Sequence, residues 1–554
     1  MTGVFCSFVS MQSIWHTILN NQSTSLLVLT IISLVSFLPS LGVFDPSLME
    51  ARNFVTAREM IQDGNWLLPT MNGEPRIAKP PLPTWMTAFV MLIIGNSENV
   101  FALRLPGVLA GLVLVISMFG LVKAQTKNIS LAFITGAIAA TSLLILQMSR
   151  TGSWDIHCHS WMLAGIASWV FAVNSQKIKF NWLMLSAIFM GLSFMSKGPV
   201  SFYALLLPFL IASLATKNIG IKKLSIIQGL AFICVLLLVS AWWPTYVFFN
   251  KTEMGMAVVK TEATSWANRH VRPFYFYFHF PVYIGVWAIP FIASLFWKNI
   301  KSKFKNSDYT YLLVWIFSAL FLLSVIPEKK ERYMLPLIIP MAIMVGRIIY
   351  YGIKSAEQNS LTRTDRNVYL VHSIAVIIFN LAALGFIYRF GLKELEMPNT
   401  VFIAFCTIVL FLNYYIFKSR LRVRNLFVLT VVSQVLIAAI VLPVTPNFAY
   451  PNKSFMSLKT INSNKEINSL DWYSIGELNL KHVYALGRTV KTIHIQESNS
   501  FPKKLPIAIV SNGPLRNYLT NERMESIKIT EVEKVNASRK KENDVLHITI
   551  INSQ

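Results

Sequence analysis

The residues of this chain with the types and spacing to do chemistry gather in a few short stretches. "FDPSLMEARNFVTAREM" (Phe44–Met60) carries Asp45, Glu50, Arg52, Arg58 and Glu59. "NGEPRIAKPP" carries Lys79, "SRTGSWDIH" carries Asp155 five residues after Arg150, and "MSKGP" carries Lys197. "WANRHVRPFYFYF" supplies Arg269, His270 and Arg272 among aromatics, and "PEKKERYMLP" supplies Lys329, Lys330, Arg332 and Tyr333. Acids with several cations suit one kind of step. A carboxylate takes a proton from an acceptor hydroxyl or phosphate, and cations stabilise a departing phosphate. That is group transfer from a lipid-phosphate donor.

Each residue also has a plain structural role open to it. Ser47 and Glu50 have capping-box spacing, and Asp45 can instead cap the helix with Pro46 behind it. Lys79 is either a snorkelling lysine or a phosphate ligand. Asp155 either caps a helix or points into the bundle, where an ionisable group is costly and functional. Lys197 ends an apolar helix, where a cation meets the dipole favourably. His157 and His159, two residues apart, fall on different faces of a helix, and metal binding by them needs an acid partner.

These residues must be held by membrane-spanning elements. The chain has 554 residues, 54% hydrophobic and 14% charged, with mean hydropathy +0.52. Soluble domains carry about 25% charged residues. Apolar runs of about 17–25 residues, long enough to cross a bilayer, recur from Leu26 to about Pro443. About thirteen of them are read as spans, and the run at Pro80–Gly95 as a juxtamembrane or re-entrant helix. With that run left out, the basic connections fall on one side. They are "KAQTKN", "NSQKIKFN", "TKNIGIKK", "WKNIKSKFKN", "KSAEQNSLTRTDRN" and "KSRLRVRN", and the positive-inside rule makes that side cytoplasmic. The candidate residues and the polar tail fall on the other side, and Lys329, Lys330 and Arg332 there run against the rule. The net charge of +24 therefore reads as membrane anchoring, and no basic patch interleaved with exposed aromatics points to nucleic acid. Four scattered cysteines imply neither a disulfide framework nor a cysteine zinc site. Leu26–Val43 reads as a retained anchor. In Phe44–Asp63, Ala51, Phe54, Val55, Ala57 and Ile61 share one helical face and Arg52, Thr56, Glu59 and Asp63 the other. This spacing predicts an amphipathic helix at the membrane surface.

The expected organisation is an α-helical polytopic membrane domain over 1–445, with amphipathic juxtamembrane helices in a first outer loop at 44–99. A small α/β domain follows over 446–554.

The stretches "MEARNFVTAREMIQDGNWLLPTMNGEPRIAKPPLPTW", "SRTGSWD", "MSKGPV", "WWPTYV", "HVRPFYFYF" and "KKERYMLPLIIP" occur in the order of a known family. The chain resembles the GT-C polytopic glycosyltransferases, in the branch of protein O-mannosyltransferases and the bacterial lipid A 4-amino-4-deoxy-L-arabinose transferase. The resemblance implies a sugar donor linked to undecaprenyl or another polyprenyl phosphate, inversion at the anomeric carbon, and no essential cofactor or metal. The expected protein is a monomer in the bacterial inner membrane, with the site and C-terminal domain on the periplasmic side that the loop charges indicate, and the acceptor is left open among lipid A, another lipid, a glycan and a protein. In the family's first loop Arg52 fills the arginine position and Glu50 the second of two acids. Met49 stands where the family has its aspartate, so Glu50 or Asp45 must serve as the first carboxylate. Asp155 matches the second acid. Lys79, Arg269 and Tyr333 match positions resembling donor-phosphate ligands, with Arg52, Lys197 and Lys329 grouped beside them. Arg58, Glu59 and His270 are left to the acceptor or other roles. The rival reading is a lipid-linked sugar flippase, which would carry its ionisable residues near the bilayer midplane.

Overall fold

The computed structural model describes residues 17–216, 224–296, 306–392, 397–494, 501–502, 504–540 and 544–553. The basic connections expected at 216–223 and 297–306 lie mostly outside the described residues.

Along the chain, α1 (Gln22–Phe37) precedes α2 (Leu48–Asp63), a hairpin of β1 (Thr70–Met71) and β2 (Glu74–Pro75), and α3 (Leu82–Ile94). Then come α4 (Leu105–Thr126), α5 (Ile129–Ala140), α6 (Leu143–Ser149), α7 (Trp154–Val173), α8 (Phe180–Lys197) and α9 (Leu207–Thr216). Next are α10 (Ile226–Ser240), α11 (Trp242–Asn250), α12 (Thr252–Asn268), α13 (Ala288–Phe296) and α14 (Asn306–Val325). The helical part closes with α15 (Leu335–Glu357), α16 (Arg363–Ile387), α17 (Asn399–Lys418) and α18 (Val423–Ala449). The tail holds β3 (Asp471–Ile475), α19 (Leu480–Leu486), β4 (Lys491–Ile493), β5 (Ile507–Ser511), β6 (Ile527–Asn536) and β7 (Val545–Ser553).

Among the described residues eight helices are long and apolar enough to cross a bilayer, and ten if each bent pair is one span. The bent pairs are α5–α6, at 66°, and α10–α11, at 48°. The protein is a multi-pass helical membrane protein. Inside a bilayer every backbone polar group must be satisfied within its own segment, which is why the spans are helices.

The chain forms two compact units. The first comprises Met1–Leu41, Ala78–Pro83 and Arg104–Pro443. Its helices approach where side chains are small, as membrane helices do in the absence of a hydrophobic drive between them. A Cβ at Gly107 of α4 would stand 2.3 Å from the Thr151 carbonyl, so only glycine lets α4 press on the turn that leads into α7. Arg150 donates to the Phe37 carbonyl at 2.8 Å, tying the same turn to the end of α1.

The second unit comprises Gly42–Ile77, Thr84–Leu103 and Val444–Gln554. Its five-stranded sheet runs β4-β3-β5-β7-β6, with β3 parallel to β4 and β5. β7 runs antiparallel to β5 and β6, with Ile509 opposite Thr549. The central strand "IAIVS" is buried throughout, as expected of a strand covered on both faces. The amphipathic expectation for α2 needs correction. The apolar side packs on α3 and α19, with Phe54 against the Tyr484 ring at 5.7 Å. The side expected to face water is also largely covered, since Thr56 and Glu59 are buried. Protein, not solvent, satisfies that side: the Thr56 hydroxyl donates to the Arg52 carbonyl at 2.7 Å, and the β1–β2 hairpin closes over Glu59.

Candidate active site

α7 and α8 form an antiparallel hairpin of similar helix lengths, so the first turn of α7 lies beside the last turn of α8. Ser153 is the N-cap of α7 and Asp155 sits within its first turn, where a negative charge meets the positive end of the helix dipole. Lys197 is the last residue of α8, and Gly198 ends the helix at φ 67°, ψ −147°. The two side chains meet: Lys197 Nζ bonds Asp155 Oδ1, with Asp155 only 1% exposed. Asp155 therefore points into the bundle and does not cap its helix. Arg332, on the 3-10 turn Glu331–Met334 that leads into α15, brings Nε to 3.2 Å from Asp155 Oδ2. That contact is an ion pair without hydrogen-bond geometry, because neither Oδ2 nor Nε completes a hydrogen bond. The Tyr333 ring lies 4.8 Å from Lys197 Nζ. Lys79 is close enough to act electrostatically on Cys158, one turn along α7 from Asp155.

A second cluster adjoins it in sequence. Val271 and Glu328 form an antiparallel bridge, and Lys329 N donates to the His270 carbonyl at 3.2 Å. Glu328 pairs with Arg269 at 3.3 Å and with Lys330 at 2.5 Å. Burial raises the Glu328 carboxyl, but its bond and charge contact with Lys330 and the charge of Arg269 outweigh this and leave it below the ordinary value. Lys329 turns inward and donates to the carbonyls of Ile326 and Arg272 at 2.6 and 3.2 Å, and burial lowers its ammonium pKa. Tyr277 Oη accepts from Lys330 N at 3.2 Å.

The second unit holds the other candidates. Glu50 is buried and completes the capping box: its Oε2 accepts from Ser47 N at 2.9 Å, and Ser47 Oγ accepts from Glu50 N at 3.3 Å. Asp45, 47% exposed, pairs with Arg539, and its N–H donates to Tyr450 Oη at 3.0 Å. Arg52 reaches the Met49 sulfur at 4.0 Å. Arg58 donates to the Arg488 carbonyl at 3.1 Å, and burial lowers its pKa. Glu59 accepts from Thr70 Oγ1 at 2.7 Å and from the N–H groups of Asn72 and Gly73 at 2.8 and 3.1 Å. Arg58 and Glu59 are thus engaged in internal bonds of this unit.

Two partners were not singled out in the sequence. Arg332 is one of three basic residues in a run, and Glu328, which pairs with Arg269 and Lys330, is an acid just before that run. A lone acid inside an apolar helix needs cations close by, and that requirement was the available signal for Arg332. Among the described residues no group of three or more His, Cys, Asp or Glu side chains comes together to hold a metal.

Apolar helices in this number, with a buried carboxylate held between two cations at their ends, define a polytopic integral membrane protein resembling the GT-C glycosyltransferases. A family model described as dolichyl-phosphate-mannose-protein mannosyltransferase matches residues 78–243, a range that includes Lys79, Asp155 and Lys197. The chain is similar to an undecaprenyl phosphate-alpha-4-amino-4-deoxy-L-arabinose arabinosyl transferase of Pectobacterium carotovorum, 26% identical over 65% of either chain. It is as similar to an uncharacterized protein of Aquifex aeolicus, 26% identical over 61% of this chain and 64% of that one. The matched region thus spans 64% and 65% of the length of these relatives. The fold is that of the crystal structure of ArnT from Cupriavidus metallidurans bound to undecaprenyl phosphate. That structure has a TM-score of 0.68 at 14% identity, over 95% of this chain and 97% of that one.

Proposed function

We propose that this protein is a glycosyltransferase of the bacterial inner membrane. It transfers a pentose or hexose from a polyprenyl-phosphate donor to a lipid A, glycan or protein acceptor, at the periplasmic face and with inversion. The observation that carries the reading is the Asp155–Lys197–Arg332 cluster, with Tyr333 against Lys197 and Lys79 near by. The names of the arabinosyl transferase relatives support the same donor class.

In the transfer the acceptor oxygen attacks the anomeric carbon and loses its proton to a carboxylate. The bond from that carbon to the phosphate oxygen breaks, and the phosphate leaves with the electron pair. Glu50 is the proposed base, since a capped carboxylate is held in one orientation, and Asp45 is the second candidate. Lys79, Arg52, Arg269 and Tyr333 are assigned to the donor phosphate. Lys197 and Arg332 fix Asp155 and supply positive charge where the leaving phosphate develops its own. No metal is assigned a role.

Thirteen crossings fit this reading. They are the ten spans above together with α1, α8 and the Phe202–Thr216 segment, with α3 left juxtamembrane. An odd number puts the C-terminal domain opposite the N-terminus, on the periplasmic side.

The test is transfer of labelled sugar from polyprenyl phosphates by membranes carrying the protein. Glu50→Gln lowers the rate about 10²-fold or more, the usual weight of a general base; Asp155→Asn, which releases Lys197 and Arg332 from their carboxylate, also lowers it well below wild type, and Asp45→Asn retains most activity. Wild-type rates in both of the first two variants would refute the assignment. Movement of lipid-linked sugar across liposomes with no transfer would favour a flippase.

A further inference from the structure

A cavity in the first unit takes no part in this chemistry. It is a groove of about 850 Å³ between α1, α5, α15, α17 and α18, within the roughly 300–1,000 Å³ range of ligand sites. Its walls are aliphatic and aromatic, among them Ile32, Val35, Phe133, Ile353, Val428 and Val435. It opens sideways, since Ile31 and Val432 on its lip keep 51% and 40% exposure. Along α18 the lining runs from Val423 to Leu436, about 20 Å at 1.5 Å per residue. One leaflet of hydrocarbon is about 15 Å deep.

One end of the groove is charged. Arg422, Arg424 and Glu357 line it, a net charge of +1. Arg424 reaches Glu357 only at 3.8 Å, with both partly exposed, so the pair leaves the arginine largely available. Lys418 and Arg420 stand on the same turn, and Arg420 stacks on Phe417 at 4.3 Å. This end lies far from Asp155. α15 begins just after Arg332 and Tyr333 and ends at Glu357, a helical rise of about 33 Å.

We infer that this groove binds one anionic phospholipid, with an acyl chain along α1 and α18 and the phosphate against Arg422 and Arg424. A laterally open apolar slot at membrane depth meets only lipid tails as solvent. A basic rim at its end selects among headgroups by charge, as basic pockets between membrane helices do. The inference is independent of the transfer reaction and is read without measuring it.

Full-length protein is reconstituted in nanodiscs with equal phosphatidylglycerol and phosphatidylcholine of matched chains. It is then extracted in mild detergent, and the retained lipid is counted by mass spectrometry. The wild type is expected to retain phosphatidylglycerol over phosphatidylcholine about fivefold or more. Arg422→Gln with Arg424→Gln brings that ratio to about one, and Arg422→Lys with Arg424→Lys keeps it. Val432→Trp, which fills the slot, removes about one retained lipid per protein. A control on the wild type needs no folded variant: raising salt from 0.1 to 1 M shortens the screening length from about 10 to 3 Å and must erode the preference. Equal retention of the two lipids, a preference unmoved by salt, or an unchanged ratio in the glutamine variant would overturn the inference.

Discussion

Asp155 is a carboxylate inside a helix bundle with a cation on each oxygen. Removing one partner of such a buried pair leaves an uncompensated charge and costs about 3–5 kcal/mol. Asp155→Asn should therefore lower the thermal midpoint and abolish transfer together. Adding Lys197→Met removes one orphaned charge and should recover a good part of the midpoint while transfer stays lost. Thermal unfolding beside the transfer assay separates the two effects, and an Asp155→Asn protein as stable as wild type would contradict the paired geometry. Glu328 makes a pH-dependent case. Its folded carboxyl lies below the unfolded value of 4.5, so its contribution is complete above about pH 4.5 and is lost as pH falls through the folded value. Glu328→Gln should melt below wild type from pH 5 to 8, and the two curves should converge in strong acid. Asp155 and Lys197 were legible in the sequence because each interrupts an apolar run. Arg332 was not distinguished from Lys329 and Lys330, since three cations within four residues look alike on paper. Only the 3-10 turn decides that Arg332 faces Asp155 while Lys329 bonds two carbonyls.

At the scale of elements, the α7–α8 hairpin brings Asp155 and Lys197 together, and its accuracy depends on where α8 stops. Gly198 stops it in a backbone region, φ 67° and ψ −147°, that is essentially confined to glycine. A Cβ there would meet no atom within 4 Å, so the penalty of a substitution comes from the backbone alone. Gly198→Ala should cost about 1–3 kcal/mol, either as lost stability or as a shifted α8 end that pulls Lys197 off Asp155. A melt unchanged from wild type together with full transfer would show that the turn tolerates a side chain. Local signals of this kind were readable: the Ser47–Glu50 capping box forms as its spacing implied, and the helix ending at Lys197 stops at its Gly-Pro. The surroundings of α2 were not readable. Periodicity reports which residues share a face, but not what covers that face. Glu59 and Arg58 are covered by the β1–β2 hairpin and by residues more than four hundred positions away, Thr489 and Arg488.

For the whole molecule, the distribution of charge carries the orientation. The sequence places lysine and arginine on alternate connections and the candidate site on the others, and the ends of α15 repeat the division. Arg332 and Tyr333 precede its start, and Lys354 and Glu357 stand in its last turn. If thirteen crossings are right, a probe at the α15–α16 connection and a probe in the C-terminal domain lie on opposite sides of the membrane. Ser360 and Ser469 are both exposed and suit single-cysteine labelling once the four native cysteines are replaced. With a membrane-impermeant maleimide on intact cells, Ser469→Cys should label while Ser360→Cys labels only after the membrane is opened. Both positions labelling from outside would mean an even number of crossings between them. Pro80–Gly95, the run left out of the count, would not account for that result, because it precedes both probes. The disputed segments would then be those between the probes, α16 to α18, whose long apolar helices are the strongest span candidates in that region. A reversed pattern, with Ser360→Cys labelled alone, would keep the count of crossings between them but place the basic connections outside, against the charge rule on which the periplasmic site rests.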